Sequence, residues 1–189
     1  MKIKALAALC SKAKTIVLYD DNTRQWVGDG CAAYLLPSAM GKLSSSALTA
    51  IFDISTEKAA DMIIRSVDMP ESYDTEDDGE DERELIWDEN DRILHNGKDM
   101  VPLRTADGKV YLIQAKYLKP IMDSDGMRLT LRRRPNGRPY ITAKDGMFLV
   151  AIIEMCQARE ELSSWLYWVY NGVAKAVSYE KDTGDGELQ

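Results

Sequence analysis

Residues 109–155, KVYLIQAKYLKPIMDSDGMRLTLRRRPNGRPYITAKDGMFLVAIIEM, constrain the fold more than any other stretch of the chain. Their order predicts a strand at 109–114, a short two-faced helix at 115–122, and strands at 127–134, 138–143 and 147–155. Pro135-Asn136-Gly137 and Lys144-Asp145-Gly146 separate the last three strands, and both are hairpin signals. In a strand opening at Met127, alternation puts Met127, Leu129 and Leu131 on one face and Arg128, Thr130, Arg132 and Arg134 on the other. In the helix, Leu118, Ile121 and Met122 share one side while Lys116 and Lys119 share the opposite one.

The N-terminal part repeats this order. Residues 2–14 place Ile3, Leu6, Cys10 and Ala13 at helical spacing and turn Lys4 and Lys12 to the other side. Strand-like segments follow at 15–19 and 24–36, divided by Asp20-Asp21-Asn22 and Gly28-Asp29-Gly30. Two short helices are expected near 45–52 and 56–65, with Ser44 and Ser55 as N-caps. Both halves therefore read as a helix and three strands, a repeat of pattern without a residue-level repeat. The fold class is α+β, organised as a first half at 1–69, an acidic linker at 70–84, a second half at 85–156, an amphipathic helix at 157–178 and a polar tail at 179–189. Residues 85–104 suggest two or three short strands ahead of the one at 109–114. The helix at 157–178 is expected to line up Leu162, Trp165, Leu166, Val169, Val173 and Val177.

The net charge of -7 conceals a segregation. Residues 1–19 carry +4, residues 71–92 carry -10, and residues 98–150 carry +6. Local potential governs what a ligand meets, so the two basic regions outweigh the average. Self-repelling acids at 70–84 are expected to leave that segment extended and mobile. Arg132, Arg133, Arg134 and Arg138 bracket the Asn136-Gly137 hairpin, where guanidinium groups grip phosphate or, as the alternative, protect a sheet edge by charge.

Several chemistries lack their residues. Gly28-Asp29-Gly30-Cys31-Ala32-Ala33 has the spacing of a dinucleotide turn, but Cys31 to Leu36 reads as a strand where that turn needs a helix. The acidic run does not close on the terminal glutamate of a calcium loop. His95 is the only histidine, and Cys10, Cys31 and Cys156 have no metal-ligand spacing, so no catalytic, metal or cofactor site is expected. Three scattered cysteines fit reduced thiols, and the apolar core of residues 5–10 is too short for an export signal, so a cytoplasmic protein without a membrane span is expected. Trp165, Tyr167, Trp168 and Tyr170 at helical spacing read as core or interface rather than a stacking platform.

Lys116-Tyr117-Leu118-Lys119-Pro120, Arg128 to Leu131, Pro139-Tyr140-Ile141 and Phe148 to Ile153 follow the order of the closing half of a DNA sliding-clamp domain, and the chain resembles that superfamily of polymerase processivity factors. The lysine-bearing segment 2–14 and the turn Val27 to Ala33 resemble the opening half. Glu154 and Met155 depart from the apolar ending of the family pattern, and neither the acidic segment nor the 157–178 helix belongs to it. The resemblance implies helices with basic faces against duplex DNA, phosphate contacts without sequence readout, and tethering of a replication protein without catalysis. Lys4, Lys12, Lys116 and Lys119 are then the DNA-facing charges, joined by Arg132, Arg134 and Arg138. The chain supplies one such domain, so encirclement would need a homo-oligomer, and a small phage- or prophage-type relative is the expected kind. The alternative is an assembly module that uses the 157–178 helix and binds no nucleic acid.

Overall fold

Leu6, Leu9 and Cys10 form the buried stripe of helix α1, Ile3–Ala13, and Lys14 ends it in the left-handed conformation with its N–H on the carbonyls of Cys10 and Ser11. The helix leads into a meander of β1 (Thr15–Asp20), β2 (Gln25–Gly28) and β3 (Ala32–Leu35). Two short helices follow, α2 (Ser45–Ile51) and α3 (Thr56–Ala60), capped by the side chains of Ser44 and Ser55. The computed structural model describes residues 1–79, 81–88, 90–122, 126–156, 162 and 164–170.

The helix expected up to residue 65 stops at Ala60, because the chain turns and Ile63–Asp68 becomes β4, paired in parallel with β1 along its whole length. Beyond the acidic segment come β5 (Arg83–Glu84), β6 (Ile93–His95), β7 (Lys98–Arg104) and β8 (Val110–Gln114), then a second meander of β9 (Met127–Arg133), β10 (Pro139–Asp145) and β11 (Phe148–Ile153). The principal sheet has eight strands in the order β4-β1-β2-β3-β11-β10-β9-β5, while β6, β7 and β8 form a separate antiparallel sheet. The protein is thus α+β, and its two meanders meet last strand to last strand, β3 antiparallel to β11.

The expected helix at 115–122 is a single 3-10 turn, Ala115–Tyr117, continued by further turns. Pro120 accounts for the difference: it disfavours the helical region for Lys119 and brings no N–H of its own. The sidedness read from the sequence survives the change of geometry. Tyr117, Leu118 and Ile121 are buried and Lys119 is exposed.

One face of the large sheet carries the main core, in which Leu6, Ile16, Leu18, Val27, Tyr34, Leu118, Leu129, Ile141 and Ile153 are all fully or nearly fully buried. On the other face Trp26, Ala33, Tyr140, Leu149 and Ile152 form a second cluster, covered by Met69 and Tyr73. That cover is the acidic segment itself. It is not a solvated linker, because cations and aromatic rings of the sheet lie beneath it and hold it down. A third cluster places Leu166 of the helical residues 164–170 against Met100, Val110 and Leu112. Trp165, expected on the buried stripe, is 56% exposed and Trp168 is 72% exposed. Val173, Val177 and the tail lie outside the described residues. No helix among the described residues is long and apolar enough to cross a membrane.

Candidate nucleic-acid interface

Lys4 and Lys12 stand exposed on the solvent side of α1, two turns apart. Lys119 is exposed on the neighbouring 115–122 segment, and the side chain of Lys116 is 39% exposed. The two elements are tied to one another at their backbones. The amide of Lys2 donates to the Pro120 carbonyl at 2.7 Å, and Lys2 Nζ reaches the Met122 carbonyl at 3.4 Å. From beneath, the buried Tyr34 hydroxyl donates to the Tyr117 carbonyl at 2.7 Å. The basic turn of the second half is therefore positioned by residues of the first.

The turn Gly28-Asp29-Gly30 completes that positioning. A Cβ at Gly28 would sit 1.6 Å from the Ala32 carbonyl oxygen, so only glycine lets the hairpin close. Asp29 Oδ1 accepts the amides of Cys31 and Ala32 at 3.0 and 3.1 Å, as a turn aspartate does, and no helix follows. The nucleotide-binding geometry is accordingly absent from this turn. Asp29 Oδ2 accepts the Tyr117 hydroxyl at 3.3 Å and lies 3.8 Å from Lys116 Nζ, so part of the Lys116 charge is balanced from within. Burial first, and then the Asp29 charge, pushes the Cys10 thiol up to about 12 and raises the Tyr34 and Tyr117 hydroxyls well above the ordinary phenol range. All three groups are neutral at physiological pH. Replacing Tyr34 by phenylalanine leaves the buried Tyr117 carbonyl without that donor and is expected to cost about 1–3 kcal/mol. Urea denaturation measures it; an unchanged midpoint would show that the tie does not matter.

The arginines behave differently from the lysines. Alternation along β9 is as read, with Leu129 and Leu131 in the main core, but on the opposite face Thr130 and Arg132 are buried and Arg128 alone of the strand's residues there is exposed. Arg132 is 3% exposed and lies 2.7 Å from Glu82 Oε2. Arg134 is bonded to Glu154 and lies over the Tyr73 ring at 4.5 Å. Both are withdrawn from the set offered to phosphate, because the acidic segment and Glu154 already neutralise them. Arg138 remains exposed on the turn between β9 and β10. Edge protection is also not their role, since Arg83 and Glu84 of β5 pair with Leu131 and Thr130 of β9.

A groove of about 720 Å³ opens where the two meanders part. Pro37 follows the end of β3, whereas β11 runs on, so Phe148, Leu149 and Val150 have no partner on β3. Leu35, Leu36, Ile121, Met127 and Phe148 line the gap, with Arg24, Lys42, Asp77 and Asp145 among its charged residues. Sequence periodicity could not have located it, because it arises from where one strand stops. Among the described residues no group of three His, Cys, Asp or Glu side chains is placed to hold a metal ion. The cysteines are free thiols, Cys10 buried, Cys31 exposed and Cys156 half-buried. In comparisons with known proteins, no family, no curated protein and no solved structure matches the chain.

Proposed function

We propose that the chain is a non-enzymatic, clamp-like protein of DNA replication or phage biology, working in the cytoplasm and lying against the phosphate backbone of duplex DNA. The observation that carries this reading is the set of lysines on two adjacent elements, Lys4, Lys12 and Lys119 exposed and Lys116 half-exposed, with the elements locked together at Lys2–Pro120 and Tyr34–Tyr117. Two three-stranded meanders joined at β3 and β11, each preceded by one of those basic elements, support the clamp-like part of the reading. The apolar groove between the meanders supports contact with a replication protein. Lysines act on phosphate as point charges, so the contact carries no sequence preference. Encirclement of the duplex would take several copies of the chain.

Equilibrium binding to two duplexes of unrelated sequence, measured over a range of salt, tests the proposal. The expected result is equal affinity for both and a slope of log K against log salt of about -3 to -4, one counterion per lysine. Absence of binding at low salt contradicts it.

A second reading rests on Trp165 and Trp168, which lie three residues apart and are exposed at 56% and 72% while Leu166 between them is buried. Such an outward aromatic pair suits an assembly surface. Light scattering bears on both readings: a monomer at high concentration contradicts the assembly module and encirclement of the duplex by a ring, and leaves only contact of single copies with DNA standing.

A further inference from the structure

The outer face of the principal sheet is closed by a segment of the chain that has every contact of a bound peptide. The segment leaves β4 at one edge of the sheet and enters β5 at the other. Along the way the Tyr73 ring packs edge-on against Tyr140, with centroids 5.2 Å apart. Arg132 Nη1 donates to the carbonyls of Asp74 and Glu76 at 3.1 and 2.8 Å, and Nη2 donates to the Asp77 carbonyl at 3.3 Å. Lys144 Nζ donates to Glu82 Oε1 at 3.0 Å, and the Leu149 amide donates to Asp77 Oδ1 at 2.8 Å. Arg24 Nη1 reaches Asp77 at 3.4 Å. The segment then adds itself to β9 as a strand of only two residues.

Strand addition, main-chain carbonyls held by a guanidinium, a tyrosine in an aromatic seat and carboxylates on cations are together the means by which proteins hold acidic peptides. They are a poor means of merely closing a core. Apolar side chains of similar volume often hold a buried face as well as an Arg-Glu-Lys group or better, and the best-attested uses of such groups are to fix register and to switch. The segment also works against itself, since Asp74, Glu76, Asp78 and Asp81 line one gap of about 430 Å³ beside Arg132 and Arg133.

We infer that residues 70–84 are an internal ligand, and that the face beneath them is a docking groove for an acidic, tyrosine-bearing peptide of a partner protein, which displaces the segment on binding. Arg132, Lys144 and Arg24 select the acids, Trp26 and Tyr140 seat the ring, and the edge of β9 takes the main chain. Nucleic acid fits the groove less well, because Arg132 engages three main-chain carbonyls and β9 offers strand pairing. The inference is independent of the lysine face.

The test uses the full-length chain carrying Asp74→Asn, Asp77→Asn and Glu82→Gln together. Its probe is a fluorescein-labelled peptide with the sequence of residues 69–84, alongside the same peptide with its acids changed to amides, and a short DNA duplex. The variant is expected to bind the acidic peptide about tenfold or more tighter than the unaltered chain, in which the internal segment competes at high effective concentration. The amide peptide is expected to lose about tenfold. Equal binding by the two chains, equal binding of the two peptides, or a duplex that displaces the peptide from the variant would overturn the inference. Should the variant not fold, hydrogen exchange on the unaltered chain decides. Excess peptide is expected to remove protection from the Asp74 amide, which donates to the Tyr140 hydroxyl at 3.1 Å, and to leave α1 untouched. Unchanged protection at Asp74 overturns it equally.

Discussion

Replacing Glu82 by alanine is expected to lower stability by about 3–5 kcal/mol, and the melting temperature by about 10 °C, because it strips a shared carboxylate from two cations already out of water. Arg132 is 3% exposed and Lys144 is 8% exposed, and both are bonded to Glu82, at 2.7 and 3.0 Å. Arg132 keeps the Asp74 carboxylate at 3.5 Å and three carbonyls, while Lys144 has no other ion pair among the described residues. The greater loss therefore falls on Lys144. Removing both charges together, by Glu82→Leu with Lys144→Met, is expected to recover much of the deficit, since apolar packing replaces the pair. Thermal and urea denaturation of the three chains measure this, and an unchanged midpoint for Glu82→Ala contradicts the account of the segment.

Acid adds a second signature to the same residue. Burial pushes the Glu82 carboxyl up, but the hydrogen bonds from Arg132 and Lys144 outweigh it and hold the carboxyl below its ordinary value. A depressed carboxyl binds its proton more readily when the chain is unfolded. Its stabilisation is therefore complete above the ordinary carboxylate value and disappears as the pH falls through the depressed one. The stability gap between the unaltered chain and Glu82→Gln is expected to close over that acid interval.

What could be read from the sequence was local. The apolar spacing of Leu6, Cys10 and Ala13 located α1, Asn136-Gly137 located the β9–β10 hairpin, and the alternation at Leu129 and Leu131 oriented β9. Ser44 and Ser55 marked two helix starts because capping needs only a hydroxyl and an amide three residues on. The failures were long-range. An acidic run is read as solvated unless its counter-charges are known, and Arg132 and Lys144 lie 50 and 62 residues from Glu82. Pairing of β4 with β1 depends likewise on a partner far back in the chain. The four lysines could be proposed from periodicity, since exposure needs no partner. Arg132 and Arg134 could not be excluded, because what covers them comes from elsewhere.

The lysine face is the centre of the functional account, and simultaneous Lys4→Glu, Lys12→Glu, Lys116→Gln and Lys119→Glu examines it, glutamine at 116 sparing the buried Asp29 a like charge. All four are exposed or half-exposed, so the variant is expected to keep its fold. The decisive measurement is the salt dependence of duplex binding by this variant beside the unaltered chain, with Lys58→Glu and Lys98→Glu, both exposed lysines on other elements, as a control. The account predicts that the slope of about -3 to -4 collapses toward zero, that affinity at low salt drops about a thousandfold, and that the control changes little. Retention of the full slope and affinity by the four-lysine variant would contradict it.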